Sequence, residues 1–194
     1  MSRPVSVAIT GGIGAGKSEA LAAFARHGAA TVSSDQIVHH LLKQPEVRDR
    51  VIGRMGYGIV DDRGEIDRGA LGMVVFNDPK ALVWLEKLLH PLVAAEYLEW
   101  RDQLGRLENP PRLCVTEVPL LYESGGEKRF DKVVVITAPT KLRRSRSLVA
   151  TEERESRLLP DAKKVKRADY SFKNTGSLEE LDAFVASVVR DLTA

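Results

Sequence analysis

One cysteine in 194 residues, Cys114, excludes an internal disulfide, and its apolar, strand-like setting points to a reduced, intracellular protein. The apolar runs fall well short of the ~18 residues needed to cross a bilayer. The first strand-like run starts at residue 5, which leaves no room for a signal peptide. A cytoplasmic chain without membrane attachment is the expectation. The four histidines lack the Cys/His spacing of a zinc site, and the adjacent His39 and His40 point in different directions on a helix. No internal repeat or low-complexity tract is visible. A guanine-reading Asn-Lys-x-Asp is missing, which argues against a GTPase switch. The DDRG at 61–64 matches the D-x-x-G of such switches, but a four-residue pattern in a polar turn arises readily by chance. Large motor and transporter ATPases need a longer chain than this.

Strong net charge is also lacking, at only +2 overall. Its distribution is uneven: residues 141–168 carry a net +6 and the rest of the chain −4. A basic segment on a nearly neutral body reads as a local clamp for a polyanion, not as a nucleic-acid-binding protein. A nucleotide-gated RNA-binding protein is the competing class. It would show steep salt dependence, and the absence of aromatic residues between Lys141 and Arg167 counts against base stacking.

What the chain does have is concentrated at its start, VSVAITGGIGAGKSEA. Residues 5–9 read as a buried β-branched strand and 19–26 as a helix rich in alanine and leucine. Between them, residues 11–18 fit G-x-x-x-x-G-K-[ST] in the strand-then-helix context this motif requires. Glycines there allow positive φ and close backbone approach, so that amides surround phosphate oxygens at the positive end of a helix. Lys17 is then expected to reach the β- and γ-phosphates and Ser18 to bind Mg²⁺. The plain alternative is a glycine-rich strand-to-helix turn. Glu19, an acid in the first helical turn, suits the helix dipole but would repel a triphosphate if it faced the site, so it is expected to point away.

Farther along, residues 29–33 read as a second strand that ends at Asp35. Residues 36–107 form a mostly helical block. It holds the connection GYGIVDDRGEIDRGAL and an amphipathic helix over about 79–104, where Leu82, Leu85, Leu88, Leu89 and Leu92 recur at helical spacing. Pro91 is expected to kink or break that helix near His90. Strand signals return at 113–118 and 133–137, followed by the basic segment, an extended piece around 170–172 and a last helix opened by the capping box Ser177…Glu180. This order predicts an α/β fold of P-loop NTPase type, a parallel sheet flanked by helices with ligands at its carboxyl ends. One domain spans 1–194, with a core of 1–35, 108–140 and 169–194, a helical acceptor-binding insertion at 36–107 and a short basic lid at 141–168. A small kinase meets these requirements, with Asp35 placed to orient or deprotonate an acceptor hydroxyl. Capping of the helix that follows is the alternative role for Asp35.

Taken together, the motifs resemble the dephospho-CoA kinase family. TGGIGAGKS at 10–18, SSDQIV at 33–38, EIDRGAL at 65–71, VF-ND at 75–78, WLEKLLHPLV at 84–93, EVPLLYE at 117–123 and ADYSFKNTGS at 168–177 follow in that family's order over essentially the whole chain. The resemblance implies ATP-dependent phosphorylation of the ribose 3′-hydroxyl of dephospho-CoA, giving CoA and ADP, by a monomer or weak homo-oligomer with no nucleic-acid partner. It implies Asp35, Lys17 and Arg144 as catalytic groups. Gly12, Ile13, Gly14, Ala15, Gly16, Lys17, Ser18, Glu19 and Asn174 fall on the ATP side, and Asp35, Arg68, His90, Pro91 and Leu120 on the acceptor side. Ser18 and Glu117 fall on the Mg²⁺ side.

For His90 and Pro91 the alternative is a helix kink with a core histidine. For Asn174 and Gly176 it is a plain loop leading into the last helix, and for Glu117 a polar strand end. The chain departs from the family at Glu19, where a hydroxyl residue is usual, and at Glu117, where many relatives have Asp. Its lid is a few residues shorter, with Leu148 and Leu158 where relatives often carry Arg and Gln. Arg146, Arg154 and Arg157 remain available there, each equally readable as part of a solvated helix face.

Overall fold

The structure, a computed structural model, describes residues 3–146 and 158–194. The chain divides into two compact units, Met1–Ser33 with Trp100–Ala194, and Ser34–Glu99.

The first unit is built on a five-stranded sheet, β1 (Val5–Gly11), β2 (Ala30–Ser33), β3 (Leu113–Glu117), β4 (Lys132–Thr137) and β5 (Tyr170–Lys173), in the order β2-β3-β1-β4-β5 and parallel throughout. Parallel strands need long crossovers, and both faces of such a sheet are covered. Among the described residues its helices include α1 (Lys17–Arg26), α6 (Thr140–Arg146), the short α7 (Asp161–Val165) and α8 (Leu178–Thr193). Strand alternation divides the core. Val7, Ile9, Val115, Val134 and Ile136 share one cluster with Ala20, Ala23 and Phe24 of α1 and Leu181, Val185 and Val188 of α8. Ala8, Val133 and Val135 face the other way, onto Leu121 and Tyr122. The Val/Ile runs are therefore buried on both faces.

Several joints are polar, two of them at buried or half-buried groups. Asp131 accepts from the Ser6 amide at 2.8 Å, the Ser6 hydroxyl at 2.6 Å and Arg3 at 2.6 Å, which ties the start of β4 to β1. Lys164 on α7 is wholly buried, with Nζ 2.9 Å from Glu123 Oε1. That approach is an ion pair off hydrogen-bond alignment, and among the described residues Nζ makes no aligned hydrogen bond. The same Glu123 oxygen accepts from the Leu159 amide at 2.7 Å, so the segment leading into α7 is held twice at one carboxylate.

The capping box at Ser177 is half made. The Glu180 amide donates to Ser177 Oγ at 3.1 Å, while the Glu180 carboxylate accepts from the Thr175 hydroxyl at 3.0 Å.

The second unit contains α2 (Ser34–Leu41), α3 (Pro45–Met55), a single turn at Tyr57–Ile59, α4 (Arg68–Asn77) and most of α5 (Pro79–Gly105). Pro45 starts α3 at a position that needs no amide donor. Asp67 caps α4, accepting from the Gly69 and Ala70 amides. The DDRG stretch is a tight turn: Asp61 Oδ1 accepts from the Arg63 and Glu65 amides, and Val60 bridges Ile66.

Pro91 does not break α5, which runs 27 residues with the proline inside it. Pro91 is exposed, so the carbonyl one turn earlier that loses its amide partner is on the side where water can satisfy it. The buried stripe Leu85, Leu88, Leu89, Val93, Ala94 and Tyr97 continues past it unbroken. His90 is exposed, which rules out a core histidine.

Candidate functional site

The β1–α1 crossover passes over β3 to reach β2, which makes the gap between β1 and β3 the switch point of the sheet. The carboxyl ends of both strands carry candidate groups. After β1 the chain turns through Gly11, Gly14 and Gly16, with φ of 149°, 72° and 99°, values that side chains rarely adopt. The turn is also closely lined. A Cβ at Gly11 would lie 1.9 Å from the Ile136 carbonyl oxygen, one at Gly14 2.8 Å from that of Arg143, and one at Gly16 2.4 Å from Asn174 Nδ2.

Gly16 starts α1 without a side-chain cap, and the first intrahelical bond runs from the Ala20 amide to the Gly16 carbonyl. The amides of that first turn, at residues 17–19, thus have no partner within the helix, which is the arrangement that receives phosphate oxygens. Lys17 Nζ donates to the Gly12 carbonyl at 3.0 Å, so the ammonium lies across the loop. Ser18 Oγ lies 3.3 Å from Oε2 of Glu117, a residue only 5% exposed at the end of β3. A hydroxyl beside a carboxylate is a hard oxygen pair. It fits Mg²⁺, which takes one or two protein oxygens and completes its shell with water and phosphate. The amide-rich loop and the lysine fit a triphosphate.

Glu19 is turned away from the loop. Its carboxylate pairs with Arg26 at 3.1 Å, and Arg26 also reaches Asp182 on α8 at 2.8 Å. Only the backbone amide of Glu19 is left to serve a nucleotide. Asn174 is buried, its Nδ2 donating to the Ala15 carbonyl at 2.9 Å and its Oδ1 accepting from the Gly176 amide at 3.0 Å. Its side chain thereby ties the phosphate loop to the turn before α8. Leu120 is half-buried in the turn that follows β3.

On α6, Arg144 is exposed. The neighbour that meets the loop is Arg143, whose Nη1 would lie 2.5 Å from a Cβ at Gly12, with Arg146 3.7 Å from one at Gly16. Residues 143 and 146 are one helical turn apart and share a face. Nothing in the run of basic residues distinguished them from Arg144 in the sequence. The lid positions Leu148, Arg154 and Arg157 lie outside the described residues.

In the second unit, Asp35 lies in the first turn of α2, inside the helix instead of ahead of it. It lines a cleft of about 270 Å³ together with Gln36, His39 and Arg68. Arg68, the first residue of α4, approaches His39 Nδ1 with Nη1 at 3.1 Å. Asp35 and Arg68 thus share one cleft. His39 is a member that sequence reasoning passed over, although its position four residues after Asp35 on a helix was a usable signal. His90 and Pro91, exposed on α5, are not among the residues lining that cleft.

The Dephospho-CoA kinase family model matches residues 5–180. A dephospho-CoA kinase of Symbiobacterium thermophilum is 37% identical over 192 residues, covering 95% of this chain and 80% of the relative. A crystal structure from Thermus thermophilus superposes with a TM-score of 0.77 at 33% identity and full coverage of both chains. The dephospho-CoA kinase from Campylobacter jejuni gives 0.69 at 26% identity and 98% coverage of each. With that family model spanning most of the chain and a relative 37% identical along nearly all of it, the chain belongs to the dephospho-CoA kinase family.

Proposed function

We propose that this chain carries out the family's reaction, phosphorylation of the ribose 3′-hydroxyl of dephospho-CoA by ATP to give CoA and ADP, with Asp35 as the group that orients and deprotonates the hydroxyl. The observation that carries this reading is the shared cleft of Asp35 and Arg68: a carboxylate to accept a hydroxyl proton beside a guanidinium that holds phosphate oxygens.

The amides at the head of α1 hold the β- and γ-phosphates, and Lys17 swings from the Gly12 carbonyl onto the transferring group. Ser18 and Glu117 would hold Mg²⁺. When bound, the ion neutralises charge on the β- and γ-oxygens. Asn174 keeps the loop in shape through the Ala15 carbonyl and lies on the adenine side. Arg144 from α6 supplies positive charge to the moving phosphoryl group, with Arg143 already seated against the loop. His90, Pro91 and Leu120 belong to the acceptor side.

Release of ADP, measured with dephospho-CoA, adenosine, AMP and shikimate as acceptors, tests the reading. Dephospho-CoA is expected to be the productive one, and turnover with another acceptor alone overturns it. Asp35→Asn is expected to bind ATP almost normally and lose ~10²-fold or more in kcat. Near-normal turnover in that variant reduces Asp35 to a structural residue of α2.

A further inference from the structure

We propose that His39 is a positioning residue of the acceptor site: a neutral imidazole that fixes the Arg68 guanidinium for the phosphate groups of dephospho-CoA. This rests on the acceptor-side reading of Arg68. The contact between Arg68 Nη1 and His39 Nδ1 is 3.1 Å. An arginine carries only donors and keeps its charge, so the ring nitrogen facing it must be the acceptor. That assigns the tautomer: Nδ1 carries the lone pair and Nε2 the proton. A protonated ring would have no acceptor for Arg68 and would set two positive charges side by side.

The placement follows from the local chain. Residues 35 and 39 are one turn apart on α2 and lie on one face, so the ring belongs on the same side as the Asp35 carboxylate. Arg68 begins α4, and its backbone there is fixed by the Asp67 cap. Its side chain is exposed and has many rotamers, so an unassisted guanidinium would have to be ordered each time substrate binds. The imidazole removes part of that cost beforehand. It occupies one edge of the guanidinium and leaves the remaining N–H groups for oxyanions. The effect belongs in acceptor binding and not in the chemical step.

Steady-state ADP release tests this, with dephospho-CoA and ATP varied in turn. His39→Leu removes the acceptor nitrogen. It is expected to raise KM for dephospho-CoA about 5- to 10-fold, the scale of ordering one rotamer-rich side chain on binding, while KM for ATP and kcat stay within about twofold. His39→Asn places an amide oxygen where Nδ1 stood and is expected to restore KM to within about twofold of the parent chain. Arg68→Ala raises the same KM, and adding His39→Leu to it is expected to change nothing further, because His39 acts through Arg68.

An unchanged KM in His39→Leu, an Asn variant as impaired as Leu, or a full His39→Leu effect in the Arg68→Ala background each overturns the positioning role and leaves the acceptor site standing. An Arg68→Ala variant with parental KM overturns the acceptor-side role of Arg68 itself, and the present inference with it. His39 is exposed, so thermal midpoints of the variants are expected to match the parent and to separate a binding effect from loss of fold.

Discussion

Ser18 Oγ and Glu117 Oε2 stand 3.3 Å apart, linking the first turn of α1 to the carboxyl end of β3 across the switch point of the sheet. The register explains the meeting: Ile9, two residues before the glycine turn, pairs with Glu117, so the turn into α1 starts beside the end of β3. A glutamate that is 5% exposed here needs a partner, since a buried carboxylate without one is costly.

Glu117→Gln keeps the shape and removes the charge. The Mg²⁺ concentration for half-maximal ADP release is expected to rise about 10- to 100-fold, the usual range for losing a group that orients a bound metal. Saturating Mg²⁺ should recover most of kcat. An unchanged Mg²⁺ titration would leave Glu117 as a polar strand end.

Gly11→Ala is expected to destabilise the fold by about 2–4 kcal/mol, read as a lower midpoint in urea. At φ of 149° the new methyl would stand 1.9 Å from the Ile136 carbonyl oxygen, and backbone cannot yield as a side-chain tip can. Gly12→Ala is the control. Its methyl meets the mobile end of Arg143 at 2.5 Å, so stability is expected to change less than in Gly11→Ala.

Acid should weaken the chain through Asp131. Burial alone would push this carboxyl up, but hydrogen bonds from the Ser6 hydroxyl and amide, with Arg3 and Arg101 nearby, hold it below the ordinary carboxylate range. A depressed folded-state value means that the unfolded chain binds the proton more readily, so this stabilisation is present above the unfolded value of about 4 and is lost as pH falls below it. Asp131→Asn is expected to flatten the acid side of a urea-midpoint-versus-pH curve below about pH 4. An unaltered acid limb would show that other carboxylates set it. The side chain is more than a third exposed, so the effect is modest.

Cys114 should resist thiol reagents. It is 2% exposed in β3, and burial pushes its thiol up to about 11. At pH 8 the thiolate that would attack is scarce. Ellman's reagent is expected to label it only at the rate of unfolding, and fast stoichiometric labelling of the native chain would contradict the packing of β3.

The order of elements was legible because each signal was local. Residues 5–9, 113–118 and 133–137 were apolar runs rich in β-branched residues, and their strands are buried. Asp67 as a helix cap carried no such periodic signal, and Pro91 left open that the helix would break, which it does not. A proline's effect on a helix depends on whether the orphaned carbonyl faces water or protein, which the sequence does not state.

The sequence by itself determined that a phosphate-binding turn would form, because glycine spacing, lysine, hydroxyl and flanking periodicities all act within about twenty residues. It also determined that Glu19 should avoid the loop, by charge alone. Only the tertiary structure decided who meets whom. It brought Ser18 to Glu117, 99 residues away, Asn174 to Ala15, 159 away, Arg68 to His39, and Arg143 to the glycine turn. Those encounters depend on strand register and on the rotation of each helix about its own axis. Both are set by which apolar faces become buried together, a property of the whole fold and not of any segment.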